Sequence, residues 1–436
     1  MGSARTDMDE NYRIRFCTET DADEVASMIT TTFLGHDEYG EWAHMLMDGT
    51  HPAGPQHTVV AIENSSGAVV SAIPCAPQMF SYGGIPFPVL NMQIVATLPE
   101  HRENGLLRAQ VEALMELAKK EGIQALIVFG IAGFYPRLGF HQLLPYMGGI
   151  TYSASHLKRF AASTAPGKIA LRPATSQDLP FLSRVHAHAA QRYLVSFPFS
   201  ESTWKWYTFD YMERNRELVR IITQPDGTAL GVASFGYGEN EILVTNLELI
   251  AGVSWLETLP PILGCLMDST SALESFYLAL GPSHPAYPFL ADVPQRRMLS
   301  TMGYIRLVDP ASFLRQIAPL LEERIARSSI CGYSRVVRIE LYYRKEGLVL
   351  TFEKGKLVDV CSQAIEGYQI ECDRAEIEMP EGDFYRLLMG QASVDELVGH
   401  YREVNTWNGE EGLAAEFRIL LDVLFPKLAS NIYVCT

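Results

Sequence analysis

Residues 97 to 109, TLPEHRENGLLRA, place Arg102, Asn104, Gly105 and Arg108 in a polar turn between the apolar stretch MQIVA (92–96) and the periodic segment LLRAQVEALMELAKK. A strand that breaks into a glycine-bearing turn and then opens a helix presents backbone amides with no intrahelical partner, and such a helix start attracts an anion. Gly105 allows close approach, and Arg102 or Arg108 could add charge to a pyrophosphate seated there. The same residues also suit an ordinary strand-to-helix connection with a solvated basic rim, and both readings stand on this turn alone. No GK[ST] follows, so the turn is not an NTPase loop; no GxGxxG occurs, so it is not a Rossmann dinucleotide site. About thirty residues on comes FYPRLGF (134–140), a spacing that suits one intervening helix and strand.

The elements that must position this turn follow from periodicity. AVVSAIPCAPQMFSYGG (68–84) reads as a hairpin pair, PVLNMQIVA as the next strand and QALIVFG as another. The helix between them, from about Asn104 to Glu121, puts Leu107, Val111, Leu114, Met115 and Ala118 on one stripe. That stripe explains the buried face. The first turn has no such apolar anchor.

The first unit has a diverged copy. RFCTETDADEVASMI from Arg15 aligns with LRPATSQDLPFLSRV from Leu171, superposing Arg15 on Arg172, Thr18 on Thr175 and Asp21 on Asp178: a short strand, a capped turn and an amphipathic helix. RMLSTMGY (297–304) is expected to echo FYPRLGF as a small helix ending in a glycine and an aromatic. AASTAPGK (161–168) reads as the linker, and after LVDPASF (307–313) a third texture begins, with alternating strands and then helices. The expected domains are residues 10–155, 168–310 and 311–436.

Composition narrows the class. The chain of 436 residues is 47% hydrophobic and 20% charged, as globular proteins are, and carries a formal charge of -16, which argues against nucleic acid as a partner. No apolar run reaches the roughly 18 residues of a membrane span, so no membrane partner is expected. The seven cysteines form no CxxC pair and signal neither zinc nor a disulfide framework, so no metal is expected and a cytoplasmic location is.

PEHRENGLLRA followed by GFYPRLGF resembles the acetyl-CoA signature of the GNAT acetyltransferases, R/QxxGxG/A after a splayed strand. Arg102 and Gly105 stand at the arginine and first glycine, and Leu107 stands where the family carries Gly or Ala. The variant HRxxGLLR resembles the Eis (enhanced intracellular survival) group. The resemblance implies an α/β (α+β) architecture of two GNAT folds in tandem followed by a sterol-carrier-protein-like α+β domain. It also implies acetyl-CoA as co-substrate, bound by Arg102, Asn104, Gly105, Leu106, Leu107 and Arg108, with the backbone of Val95, Ala96 and Thr97 polarising the thioester carbonyl. Tyr135 is implied as general acid toward the sulfur, with Arg137 and Gly139 shaping its turn. The general base would be the terminal carboxylate of Thr436, although the ending ASNIYVCT lacks the aromatic terminus associated with that group. His101 is a further candidate by its place in the sequence.

In similar proteins the segment FLGHDEYGEWAHML (33–46) forms helices over the acceptor. There Phe33 and Trp42 could make aromatic walls, and Asp37, Glu38 and Glu41 could attract a cation; a solvated acidic helix face is the other reading of the same acids. The implied reaction is transfer of acetyl to a primary amine of a cationic small molecule, of aminoglycoside or polyamine type, or to lysine. The implied assembly is a homo-oligomer, a hexamer in similar proteins. The second domain lacks any RxxGxG/A turn and reads as a scaffold. The contrasting class is a non-catalytic scaffold or lipid-binding protein built on a relic GNAT fold.

Overall fold

The computed structural model describes residues 8–162, 169–211, 217–267, 273–342, 346–364, 375–400 and 414–433. Its contacts divide into two compact units. One comprises 1–80, 85–143 and 303–427; the other comprises 81–84, 144–302 and 428–436.

The first unit begins with β1 (Tyr12–Phe16), α1 (Ala22–Thr32) and α2 (Asp37–Met47), followed by β2 (Val59–Glu63), β3 (Val69–Ile73), β4 (Cys75–Tyr82) and β5 (Ile85–Met92). A two-residue strand β6 (Ala96–Thr97), helix α3 (Leu106–Glu121), β7 (Ala125–Val128) and β8 (His141–Tyr146) complete the run. Strands β1, β2, β3 and β6 form one sheet; β4, β5, β7, Thr301–Leu307 and β8 are successive neighbours in another. The hairpin expected within 68–84 is instead one run interrupted at Pro74, whose halves β3 and β4 join different sheets. Proline lacks the N–H that a continuous ladder needs, which is why the break falls there.

β5 runs parallel to β7, with Val89 to Met92 opposite Ala125 to Val128. Every residue of β7 is buried, as a central parallel strand should be. Thr301–Leu307 lies on the other side of β7, with Tyr304 opposite Val128 and Leu307 opposite Ala125. The residues expected to make a small helix at 297–304 instead end one strand, Gln295–Met298, and begin another, Thr301–Leu307, in different sheets. The true counterpart of the 3-10 turn Tyr135–Leu138 (YPRL) is Tyr287–Leu290 (YPFL).

In the second unit the sheet order is Ala170–Pro173, Glu217–Thr223, Ala229–Tyr237, Glu241–Leu249, Ser275–Leu278, Gly149–Ser153 and Gln295–Met298. Gly149–Ser153 thus pairs in the second sheet, and Tyr304–Leu307 in the first. The expected limits at 155 and 310 each enclose a strand that belongs to the other fold's sheet.

The repeat is exact at its capped turns. Arg15 donates to both carboxylate oxygens of Asp21 at 2.6 and 2.8 Å, and the Thr18 N–H donates to Asp21 at 2.7 Å. Arg172 and Asp178 are joined at 2.6 and 2.8 Å, with the Thr175 N–H at 2.8 Å. Bidentate arginine holds each carboxyl below its ordinary range, against the opposing effect of burial; Asp178 is brought down to about 2.

The final module belongs to the first unit. Its sheet runs in the order Lys356–Ala364, Glu346–Glu353, Arg335–Tyr342 and Ile377–Pro380, accompanied by helices Pro310–Gln316, Ala318–Ala326, Glu381–Leu388, Val394–His400 and Ala415–Leu424. Among the described residues no helix is long and apolar enough to cross a membrane.

Candidate active site

The parallel pairing of β5 with β7 stops at Met92 and Val128, and the two chains then part. Gln93 donates its N–H to Pro74 O at 2.9 Å, and after two more residues β6 joins β3, with Ala96 opposite Ala72 and Thr97 opposite Ser71. One arm of the resulting fork is therefore 93–97 and the other is the segment beyond Val128. Val95, Ala96 and Thr97 lie on the first arm, with Val95 half-buried against the core cluster that holds Tyr135. Ser71 Oγ fixes this arm, lying 2.8 Å from each of Ala96 O, Thr97 Oγ1 and Gln110 Oε1. Gln110 is fully buried on α3 and donates to Val59 O at 3.2 Å. Neither Ser71 nor Gln110 is conspicuous in the sequence; the only signal is that Gln110 sits on the helix's apolar stripe, between Leu107 and Leu114.

The turn that follows is left-handed twice, at Glu103 (φ 67°) and Gly105 (φ 73°). Gly105 caps α3, and the first intrahelical bond is from Ala109 N–H to Gly105 O at 3.1 Å, so the amides of Leu106, Leu107 and Arg108 precede the helical ladder. The helix begins at Leu106, two residues later than expected, because the positive φ of Gly105 cannot continue inward.

Around this turn the side chains divide by task. Arg102 is exposed and donates from Nε to Thr97 O at 3.2 Å, tying the turn to the first arm. Asn104 donates to Tyr12 Oη at 3.2 Å and His101 O at 3.1 Å, and His101 Nδ1 lies 3.0 Å from the same Tyr12 hydroxyl. Asn104 and His101 therefore brace the turn against β1. Leu106 is buried near Ala61 and Val70. Leu107 packs on the core cluster of Val111 and Tyr135. Arg108 donates to Arg137 O at 3.0 Å, linking the start of α3 to the turn that carries Tyr135.

Tyr135 lies on the second arm, 5% exposed, with its ring 5.3 Å from that of Tyr304 and 5.1 Å from Phe134. A Cβ built on Gly130 would stand 2.5 Å from the ring and 2.9 Å from the hydroxyl, so the ring lies directly over the backbone just past β7. Burial, with a smaller contribution from Tyr304, pushes the phenol up to about 12. It is protonated at neutral pH and able to donate. Tyr304 Oη accepts from Gly133 N–H at 2.8 Å and donates to Ile131 O at 3.4 Å, fixing the loop between β7 and Tyr135. Neither Gly130 nor Tyr304 lies in the YPxL repeat, and no local pattern marks them, since each meets Tyr135 only in the folded sheet.

Residues 13–143 match the acetyltransferase (GNAT) domain family. The chain carries a GNAT acetyltransferase domain. Such GNAT domains use acetyl-CoA as co-substrate, and the fork, the glycine turn and Tyr135 all fall inside the matched residues. Beyond the GNAT domain the likeness is one of fold. A probable N-acyltransferase from Enterococcus faecalis superposes with a TM-score of 0.70 at 13% identity, covering 96% of this chain and 97% of that one. A GCN5-related N-acetyltransferase from Kribbella flavida gives 0.64 at 16%, with 98% and 100% covered. Eis1 from Mycobacterium abscessus gives 0.62 at 15%, with 96% and 99% covered. No curated protein matches the sequence.

The expected acceptor segment of the GNAT domain, 33–46, is the connection that follows α1 together with nearly all of α2. Gly40 lets the helices touch, since a Cβ there would lie 2.0 Å from Thr30 Oγ1. Phe33 and Trp42 pack partly on the core of Val25, Ile29, Ala43 and Leu46, with Phe33 edge-on to Tyr39 at 5.1 Å and Trp42 to His51 at 5.7 Å. Asp37, Glu38 and Glu41 are exposed, and Glu38 pairs with His36 at 2.9 Å. Thr436 lies outside the described residues. Cys17 and Cys75 are buried, and burial pushes both thiols up, Cys17 to about 12, so neither offers a thiolate.

Proposed function

We propose that the protein is an N-acetyltransferase that moves acetyl directly from acetyl-CoA to a primary amine of a cationic small molecule, of aminoglycoside or polyamine type, or to lysine. The observation that carries this reading is the protonated, buried Tyr135 held over Gly130 beside the fork. Arg102 and the amides from Gly105 to Arg108 supply an electropositive helix start for a pyrophosphate. The arm at Val95 to Thr97 offers main-chain dipoles to a carbonyl oxygen, and Ser71 and Gln110 hold that arm rigid. In the step itself the amine nitrogen forms the new C–N bond and the C–S bond breaks. Tyr135 supplies a proton to the departing sulfur, and the amine proton leaves to a base. A free amine of lysine type has a pKa of about 10.4, so an acceptor drawn in by the acidic face of Asp37 and Glu41 must still lose a proton to the base before it attacks. The Thr436 carboxylate is the base this reading assigns. The high thiol pKa values at Cys17 and Cys75 support direct attack over an acylated cysteine.

The same reading takes the expected modules at 10–155, 168–310 and 311–436, with strands Gly149–Ser153 and Thr301–Leu307 exchanged between the first two, as catalytic GNAT, diverged GNAT and sterol-carrier-like parts of an Eis-like, cytoplasmic homo-oligomer. The matching Arg15–Asp21 and Arg172–Asp178 turns support the first two. The test is thiol release from acetyl-CoA with a panel of aminoglycosides, polyamines and lysine peptides, run beside Gly105→Asp. Release that depends on an amine and vanishes in the variant is the expected result. No release and no acetyl-CoA binding would overturn the reading.

A further inference from the structure

The second fold has the same fork as the first, and its opening is filled. Val244 opposite Leu278 closes the parallel pairing there, as Met92 opposite Val128 does in the first fold. Beyond that pair one arm continues through Glu248, and the other turns through Leu280 and Gly281. The chain's own terminal segment touches both. Asn431 Nδ2 donates to Leu280 O at 3.4 Å, and Tyr433 Oη donates to Glu248 Oε1 at 3.3 Å. Its main chain is held from outside that fork, Asn431 N–H by Val195 O and Ile432 N–H by Pro145 O, each at 3.0 Å, both acceptors lying on strands of the sheet that contains β4 and β8.

The receiving surface is built for this segment. Gly281 has φ 84°, and a Cβ there would stand 2.4 Å from Asn431 Cγ, so both the turn and the seat require glycine. Glu248 is 1% exposed, a cost met by Arg192 at 2.5 Å, with His284 3.7 Å away. The Tyr433 ring sits 4.0 Å from the His186 ring, and Ser430 to Tyr433 are all buried. Meanwhile Tyr287, the counterpart of Tyr135, spends its hydroxyl on the backbone, donating to Leu278 O at 2.9 Å and accepting from Leu280 N–H at 3.3 Å.

We infer that the second fold is a receptor for the chain's own C-terminal segment, with Ser430–Tyr433 seated across the fork that corresponds to the thioester fork of the first fold. The comparison with a thioester fork rests on the acetyl-transfer reading; the seating of the segment does not. A fork filled in this way has no place for acyl-CoA, whatever else the fold has lost.

Hydrogen exchange on the full-length protein tests the seating without any acetyl-CoA. In the wild type the amides of Asn431 and Ile432 should exchange far more slowly than in an unstructured peptide, and Gly281→Ala should speed them by about tenfold or more. Strand Ala229–Tyr237, the body of the receptor, should be unchanged. If Gly281→Ala loosens that strand as well, Tyr433→Ala decides, because it alters the segment and leaves the two arms intact. Faster exchange at 431–432 with an unchanged strand in Tyr433→Ala supports the receptor. Unprotected amides in the wild type, or segment exchange unmoved in both variants, would overturn it.

Discussion

At the scale of single residues, the candidate site depends on a few atoms with one available arrangement. Tyr135→Phe removes the donor and keeps the ring, so kcat should fall by about a hundredfold or more while acetyl-CoA affinity changes little, as stopped-flow and calorimetry would read separately. An equal loss of both would mark Tyr135 as a packing residue. Gly130→Ala attacks the same group from below: its Cβ meets the ring at 2.5 Å, so turnover should fall with an accompanying stability loss of about 1–3 kcal/mol in urea titration. Ser71→Ala removes the hydroxyl from the buried Gln110 Oε1 and should cost about 1–2 kcal/mol. Of these residues, Tyr135 was legible in the sequence because FYPRLGF is a local motif. Ser71, Gln110 and Tyr304 were not, since each acts through partners that only the folded sheet brings near, such as Ala96 and Ile131.

At the scale of elements, local chemistry and long-range pairing compete. The turn at Gly105 could be read because a glycine before a periodic helix leaves few conformations, whereas the exact start at Leu106 depended on a φ that no pattern reports. The paired capped turns could be read as a repeat because arginine, threonine and aspartate act within six residues of each other. Their titration gives a signed prediction. Asp178 falls from 3.8 to about 2 on folding, so its stabilisation is complete above the unfolded value and is lost as pH drops through the folded one. The difference in unfolding free energy between wild type and Asp178→Asn should therefore be largest at pH 5 to 7 and shrink toward pH 2. A difference independent of pH would show that the ion pair is not its source. The residues of RMLSTMGY suit a small turn by themselves, and only long-range pairing, of Arg297–Met298 with Gly149–Ile150 and of Tyr304 with Val128, makes its two ends strand.

At the scale of the whole molecule, the α/β class and the pair of matching capped turns followed from the sequence, while the destination of the last strand in each fold did not. Nothing local in Gly149–Ser153 or Thr301–Leu307 says which sheet takes it; each is placed by its partners, Ser275–Leu278 for the first and β7 for the second. The pairing makes a prediction for dissection. A fragment of residues 10–155 lacks the strand opposite Val128 and the tyrosine that fixes Ile131 and Gly133, leaving one side of β7 bare. It should show no cooperative thermal unfolding by circular dichroism. A cooperative transition would mean that Gly149–Ser153 can serve as the substitute.

The bond between Gly133 and Tyr304 spans 171 residues, and that distance becomes a delay when the chain is made on a ribosome. At elongation rates of about 5–20 residues per second, β7 waits roughly 10 to 30 s for its neighbour after it has been synthesised. During that interval the first sheet has an apolar open edge, and any factor that shields nascent chains has its longest opportunity there.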